Sequence, residues 1–99
     1  MELHGAIVLQ KFLNKHRTSV KDIRNFKRDV ENAGWESPAD IRKDYPNSLR
    51  QVNDRRFVFK FGHRFRIDSI ISFKMGFVRV KRVGTHEECI TGNSTNRSL

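Results

Sequence analysis

Arg56, Lys60, Arg64 and Arg66 crowd one short stretch of this chain and share one parity of an alternating pattern. The residues of opposite parity are Phe57, Phe59, Phe61, Phe65 and Ile67. In extended chain successive side chains point to opposite faces, so the apolar set turns one way and the basic set the other. Like charges on adjacent strands repel unless water screens them or an anion lies between them. Two readings follow: a cradle for phosphate, or a solvated basic edge that serves solubility.

A second candidate lies in Val83-Gly84-Thr85-His86-Glu87-Glu88. An imidazole just past a strand end can exchange a proton near neutral pH. A lone histidine is more often a surface or packing group, and that reading applies equally to His4, His16 and His63. Arg56, Lys60, Arg66 and His86 nonetheless include the residue types that metal-free RNA cleavage requires. In that reaction the ribose 2′-OH attacks the adjacent phosphorus, a base and an acid move protons, and cations stabilise the growing negative charge. His86 and Cys89 form only one possible ligand pair, where zinc usually takes three or four protein ligands. The chain has no glycine-rich phosphate loop, no Gly-x-Ser-x-Gly elbow, no helical His-Glu-x-x-His and no convincing acid pair. No metal and no small-molecule cofactor are therefore expected.

The whole-chain charge agrees with a polyanion partner. Lys and Arg number 20 against 11 Asp and Glu, a net charge of +9. Neutralising phosphates releases condensed counterions, so nucleic acid is the leading partner class. A membrane surface or an acidic protein are the competitors. The apolar run Ala6-Ile7-Val8-Leu9 is broken by Gln10 and Lys11, too early for a signal peptide or a membrane span. A single cysteine excludes an internal disulfide framework and fits a reducing cytoplasm.

The elements that must position these groups can be read from periodicity. Residues 1–4 suit a short strand. Ile7, Val8, Phe12 and Leu13 recur at helical spacing between Ala6 and His16. A second helix is expected from Val20 to Ala33, capped by Ser19 and ended by Gly34, with Val20, Ile23, Phe26, Val30 and Ala33 as its apolar stripe. A third, about two turns long, runs between the aromatic anchors Trp35 and Tyr45, with Ser37 as cap, Pro38 at its first position and Pro46 as its stop. The period then changes to two. Strands are expected over Arg55–Phe61, Arg64–Phe73 and Phe77–Val83, joined by tight turns at Gly62-His63 and Lys74-Met75-Gly76. The fold class is α+β, with two N-terminal helices and a short capped helix on one face of an antiparallel sheet of three to four strands. Residues 1–90 make a single domain, and residues 91–99 have the composition of a flexible tail.

Three segments resemble the HigB family of bacterial toxins, in the same order. The first is Trp35-Glu36-Ser37-Pro38-Ala39-Asp40-Ile41-Arg42-Lys43-Asp44-Tyr45-Pro46, which is similar to that family's most specific string. The second is Asn53 to Phe61 followed by Arg64-Phe65-Arg66-Ile67, similar to two of its strands. The third is Val83-Gly84-Thr85-His86-Glu87-Glu88, which looks like its Val-Gly-Thr-His-x-Glu-Tyr. The resemblance implies a RelE-like fold and a ribosome-dependent mRNA endoribonuclease, located in the bacterial cytoplasm. It also implies a HigA-type helix-turn-helix antitoxin as partner, beside the mRNA on the ribosome. Carried over, it makes Arg66 the grip on the scissile phosphate and His86 the proton donor to the leaving oxygen; Arg56 matches another basic position of that face, and Lys81 stands where the family often has Arg. Beside these, Lys60 is expected to join Arg66 and His86 in the chemistry, and Arg64 and Arg82 to join Arg56 and Lys81 as RNA contacts.

The chain departs from the family pattern at three places. Lys60 replaces an Asn, the Gly62-His63 turn is one residue shorter, and Cys89 stands where the family has Tyr, with Cys-Ile-Thr-Gly in place of its usual ending. If that Tyr takes part in the chemistry, the alternative is a non-catalytic homologue that still binds RNA, ribosome or antitoxin.

Overall fold

A computed structural model describes residues 1–62 and 64–85. His63, His86, Cys89 and the 91–99 tail lie outside the described residues, as does one residue of the expected Gly62-His63 turn. Strand β1 (Glu2–His4) leads into α1 (Ala6–Lys15), a short 3-10 turn (Arg17–Ser19), α2 (Val20–Asn32) and α3 (Pro38–Asp44). Strands β2 (Leu49–Gln51), β3 (Arg56–Phe61), β4 (Phe65–Ser72) and β5 (Phe77–Gly84) complete the order.

The meander β3–β4–β5 is as the alternation predicts, but it is the middle of a larger sheet. The strand order is β1-β5-β4-β3-β2, and β1 pairs with β5 in parallel. The expectation of an all-antiparallel sheet of three to four strands is corrected to a mixed sheet of five among the described residues. Both additions are short edge strands. β1 and β2 hold three residues each, too few to display a period.

The core forms where the inward residues of the sheet meet the helices. Leu9 and Phe12 of α1, Ile23, Phe26 and Val30 of α2, Trp35, and Ile41 of α3 bury against Phe57, Phe59, Phe65, Ile67, Ile71, Val78 and Val80. Burying each such side chain contributes about 1.5–3 kcal/mol. The helix phases differ slightly from the expected stripes. Ile7 is 67% exposed and Val20 44%, while Leu9, outside the expected α1 stripe, is fully buried. Phe59 is the hub, meeting Phe26 edge-on at 5.0 Å, Tyr45 edge-on at 5.1 Å and Trp35 stacked at 6.2 Å.

The Trp35–Pro46 segment is a structural elbow. Pro38 takes the first helical position, but neither Ser37 nor Ser19 makes the side-chain cap their identities predict. Instead the Ser37 carbonyl accepts from the Asp40 N–H, and the Asp40 carboxylate accepts from the Glu36 N–H at 2.9 Å. The negative charge of Asp40 thus sits at the positive end of the helix dipole without a serine hydroxyl. Gly34 also differs from expectation: α2 ends through Ala33 in an extended conformation, and Gly34 has no positive φ. Both aromatic anchors carry polar tethers. Trp35 Nε1–H donates to Asp44 Oδ2 at 2.8 Å, and the Tyr45 hydroxyl donates to Asp29 Oδ2 at 2.7 Å. Desolvation, then the hydrogen bond to Asp29 and the charges of Asp29 and Asp44, push the Tyr45 phenol well above its ordinary range.

Gly5 turns the chain from β1 into α1 with φ +84°, and a Cβ there would lie 2.6 Å from the Val80 carbonyl oxygen of β5. Gly5→Ala is expected to cost about 1–3 kcal/mol from the left-handed conformation, with the backbone clash adding to it. Urea denaturation measures the loss, and an unchanged midpoint would contradict the close approach. Tyr45→Phe is expected to lower stability by about 1 kcal/mol at neutral pH. A folded-state pKa raised above the unfolded value near 10 gives stability that is fully present below pH 10 and lost as pH rises above it. The wild-type advantage over Tyr45→Phe should therefore shrink between pH 10 and 12, as followed by melting of the two proteins side by side.

Candidate functional site

Packing Phe57, Phe59 and Phe61 toward the helices forces Arg56, Val58 and Lys60 onto the opposite face of β3. Register then assembles that helix-free face row by row. Lys60 lies directly across from Arg66, and Arg66 from Gly84. Directly opposite pairs hold their Cβ atoms about 5 Å apart. Lys60 and Arg66 thus form a cationic couple at one end of the sheet, beside a residue with no side chain. Val58, Asp68 and Arg82 make the next row, with Arg50 of β2 joining at Val58. Arg56, Ile70 and Arg79 make the third, which ends at His4 of β1.

Asp68 is the residue that sequence reasoning passed over. It is buried, in the centre of the basic face. Arg56 donates to it bidentately, Nε to Oδ1 at 2.9 Å and Nη2 to Oδ2 at 2.7 Å. Fork-to-carboxylate geometry fixes the guanidinium plane as well as its position. Arg56 therefore reaches the face as an oriented member of an ion pair. The signal was present in the sequence: Asp68 shares the parity of Arg66 on β4, as the acid of the basic set.

The expected RNA contacts do not all gather on this face. Arg56 and Arg82 do. Arg64, in the turn before β4, bonds Asp22 of α2 at 2.7 Å and so leaves the group assigned to it. Lys81 is the extra residue of a β-bulge: Asp68 pairs with Arg82 and Ser69 with Val80, so no β4 residue stands opposite Lys81. Bulges redirect side chains and increase local twist. Lys81 and Arg82 are both exposed at this kink. Arg50 and Arg79 belong to the face and were not anticipated, since Arg50 lies on an edge strand too short to read and Arg79 falls just before the bulge. Beyond Gly84 the chain continues through Thr85 to His86, which lies outside the described residues.

The chemistry this arrangement suits is the binding of a chain of phosphates, with cations from β2, β3, β4 and β5 spread over one face. Among the described residues no group of three or more His, Cys, Asp or Glu side chains is placed to hold a metal ion. Among them, too, no helix is long and apolar enough to cross a membrane.

Comparison with curated proteins finds no match to this chain. Comparison with family models gives the HigB toxin, described as the RelE-like toxic component of a toxin–antitoxin system, over residues 19–89. That span runs from the start of α2 through the whole β2–β5 sheet, and takes in the Trp35–Pro46 elbow, the Lys60–Arg66 couple and Asp68. The chain belongs to the HigB toxin family, the RelE-like toxic components of toxin–antitoxin systems.

Proposed function

We propose that this toxin is a ribosome-dependent endoribonuclease that cuts mRNA during translation, works without a metal, and acts in the bacterial cytoplasm. Membership of a toxin–antitoxin family implies an antitoxin partner. We take that partner to be of the HigA, helix-turn-helix type. The observation that carries the catalytic reading is the Lys60–Arg66 couple on the helix-free face. Around it, Arg56, Arg82, Arg79 and Arg50 supply the positive field that a polyanion needs.

In this mechanism the scissile phosphate sits over Lys60 and Arg66. The 2′-OH attacks phosphorus and gives up its proton to a solvent water acting as base, the P–O5′ bond breaks, and the products are a 2′,3′-cyclic phosphate and a 5′-hydroxyl. Arg66 and Lys60 stabilise the charge that builds on the non-bridging oxygens. His86, joined to Gly84 through Thr85 alone, donates the proton to the leaving oxygen. Arg56, held by Asp68, and Arg82 bind the flanking phosphates. Positioning on translated message is left to the ribosome.

A second reading is favoured by Cys89, which stands where the family has Tyr: a non-catalytic homologue that retains RNA, ribosome or antitoxin binding. Inducible expression in a bacterium separates the two. The catalytic reading expects growth arrest, relief by the antitoxin encoded beside the toxin, and cleavage within codons of ribosome-bound message. Arg66→Ala should reduce cleavage about 10²-fold or more while its unfolding midpoint stays within about 0.5 kcal/mol of wild type. Harmless expression with intact message would reject catalysis for this chain. In that case Cys89→Tyr should restore toxicity if the missing phenol is the cause, and continued harmlessness would place the defect elsewhere.

A further inference from the structure

The far end of the sheet from Lys60 and Arg66 holds a feature that the cleavage reading leaves unused. Where β4 turns into β5, a shallow cleft of about 520 Å³ is lined by Ile70, Phe73, Met75 and Phe77, with Arg55, Lys74 and Asp54 around it. Met75 there is 71% exposed. Phe77 is the wall of interest. It lies on the helix-free face, as the cross-strand partner of Ser72 on β4 and of Glu2 on β1. From the β1 side His4 stacks on it, with ring centroids 4.8 Å apart and planes 17° from parallel. Arg79 places its guanidinium carbon 5.4 Å from the ring centroid. Phe77 also lines the cleft, so the cleft meets this ring beside its His4 and Arg79 contacts.

A braced aromatic wall with cations at the rim matches what an unpaired nucleobase and its phosphate require. Stacking on aromatic side chains is how single-stranded nucleic acid is held without reading its sequence, and a basic groove tracks the backbone. The charge is continuous with the face already described: Arg79 and Arg56 share the row of Ile70, which lines the cleft. Ile70 is four residues along β4 from Arg66, roughly 13 Å at strand spacing. An extended RNA strand with a phosphate at Lys60 and Arg66 can reach the cleft only with a nucleotide flanking the cut.

We propose that this cleft is a second RNA subsite, which takes a nucleobase of single-stranded RNA against Phe77 with the adjoining phosphate between Arg55 and Lys74. The proposal rests on the RNA-cleaving reading for its choice of ligand, but binding alone tests it, with no ribosome and no cleavage.

The purified full-length toxin is titrated with a fluorescein-labelled single-stranded oligoribonucleotide of mixed sequence, with 2′-O-methyl groups to block cleavage, over a series of salt concentrations. Phe77→Leu keeps the apolar volume and removes the ring. It should weaken binding roughly tenfold with an unchanged salt slope. Met75→Asp alters an exposed side chain and should cause a similar loss with no cost to folding, which circular dichroism checks. Lys74→Glu should weaken binding and flatten the salt slope, because a phosphate contact is lost. An oligonucleotide with abasic positions should bind wild type more weakly and be indifferent to Phe77→Leu.

If Phe77→Leu and Met75→Asp bind the intact oligonucleotide like wild type, the subsite does not exist. If these two variants lose affinity for the antitoxin while RNA binding is unchanged, the cleft docks protein and the proposal is overturned. Arg66→Ala serves as the control for the underlying reading. RNA binding indifferent to Arg66→Ala but sensitive to Phe77→Leu removes the phosphate grip and leaves the subsite standing, whereas the reverse removes only the subsite.

Discussion

The packing of Phe59 is the constraint on which the rest depends. Phe26 comes to it from α2, Tyr45 from the end of α3, and Trp35 from the linker between those helices. Three segments are thereby fixed to one position of β3, and the position fixes the parity of the strand. A slip of one residue would carry Phe57, Phe59 and Phe61 into water and turn Arg56 and Lys60 toward the core. Neither is tolerable in a domain of this size, so the aromatic cluster determines which face of the sheet is basic. The conspicuous Trp35–Pro46 string therefore serves the basic face indirectly. It contributes no group to that face, yet it secures the register that creates it.

A face assembled this way carries an electrostatic cost. Arg50, Arg56, Lys60, Arg66, Arg79 and Arg82 project from four neighbouring strands, in a chain whose net charge is already +9. Asp68 offsets part of the cost at the centre. Its carboxylate, almost out of water, takes both arms of Arg56 and lies across from Arg82. The Lys60–Arg66 couple lies at one end of the face, and the row of Arg56, Ile70, Arg79 and His4 lies on the other side of Asp68. Arg64 shows the opposite arrangement, its charge drawn round the edge of the sheet to Asp22 on α2, where it ties the β3–β4 turn to the helical layer.

What was readable from the residues was what is encoded locally. The helices, the meander and the two faces of β3 and β4 follow from periods of 3.6 and 2, and the short third helix from Pro38 and Pro46. What was not readable depends on contacts distant in sequence or on single-residue irregularities. The parallel pairing of β1 with β5 joins residues near 3 to residues near 78, and nothing in Glu2-Leu3-His4 specifies that partner. β2 has too few residues to display alternation. The bulge at Lys81 shifts parity by one within β5, so continuing the pattern from Phe77 puts the wrong residues on the basic face. Ser19 and Ser37 have cap identities but make no cap bonds: Ser19 is itself the last residue of the 3-10 turn that runs into α2, and the Asp40 carboxylate accepts from the Glu36 N–H ahead of α3.

The bulge also bears on how one small sheet can present two kinds of surface. Before it, β5 sets Phe77 and Arg79 on the outer face; after it, Arg82 and Gly84 take that role. Were Lys81 taken up in regular alternation and not in a bulge, Lys81 and Val83 would turn outward and Arg82 and Gly84 toward the core. Val83, which pairs with the fully buried Ile67, would then stand beside Arg66 and crowd the cationic couple. The single inserted residue lets the first half of β5 follow the aromatic cleft and the second half follow the cationic couple. It also sets Gly84, at the end of the strand, directly across from Arg66. The separation of the face into an aromatic end and a cationic end is thus a consequence of backbone irregularity as much as of side-chain choice.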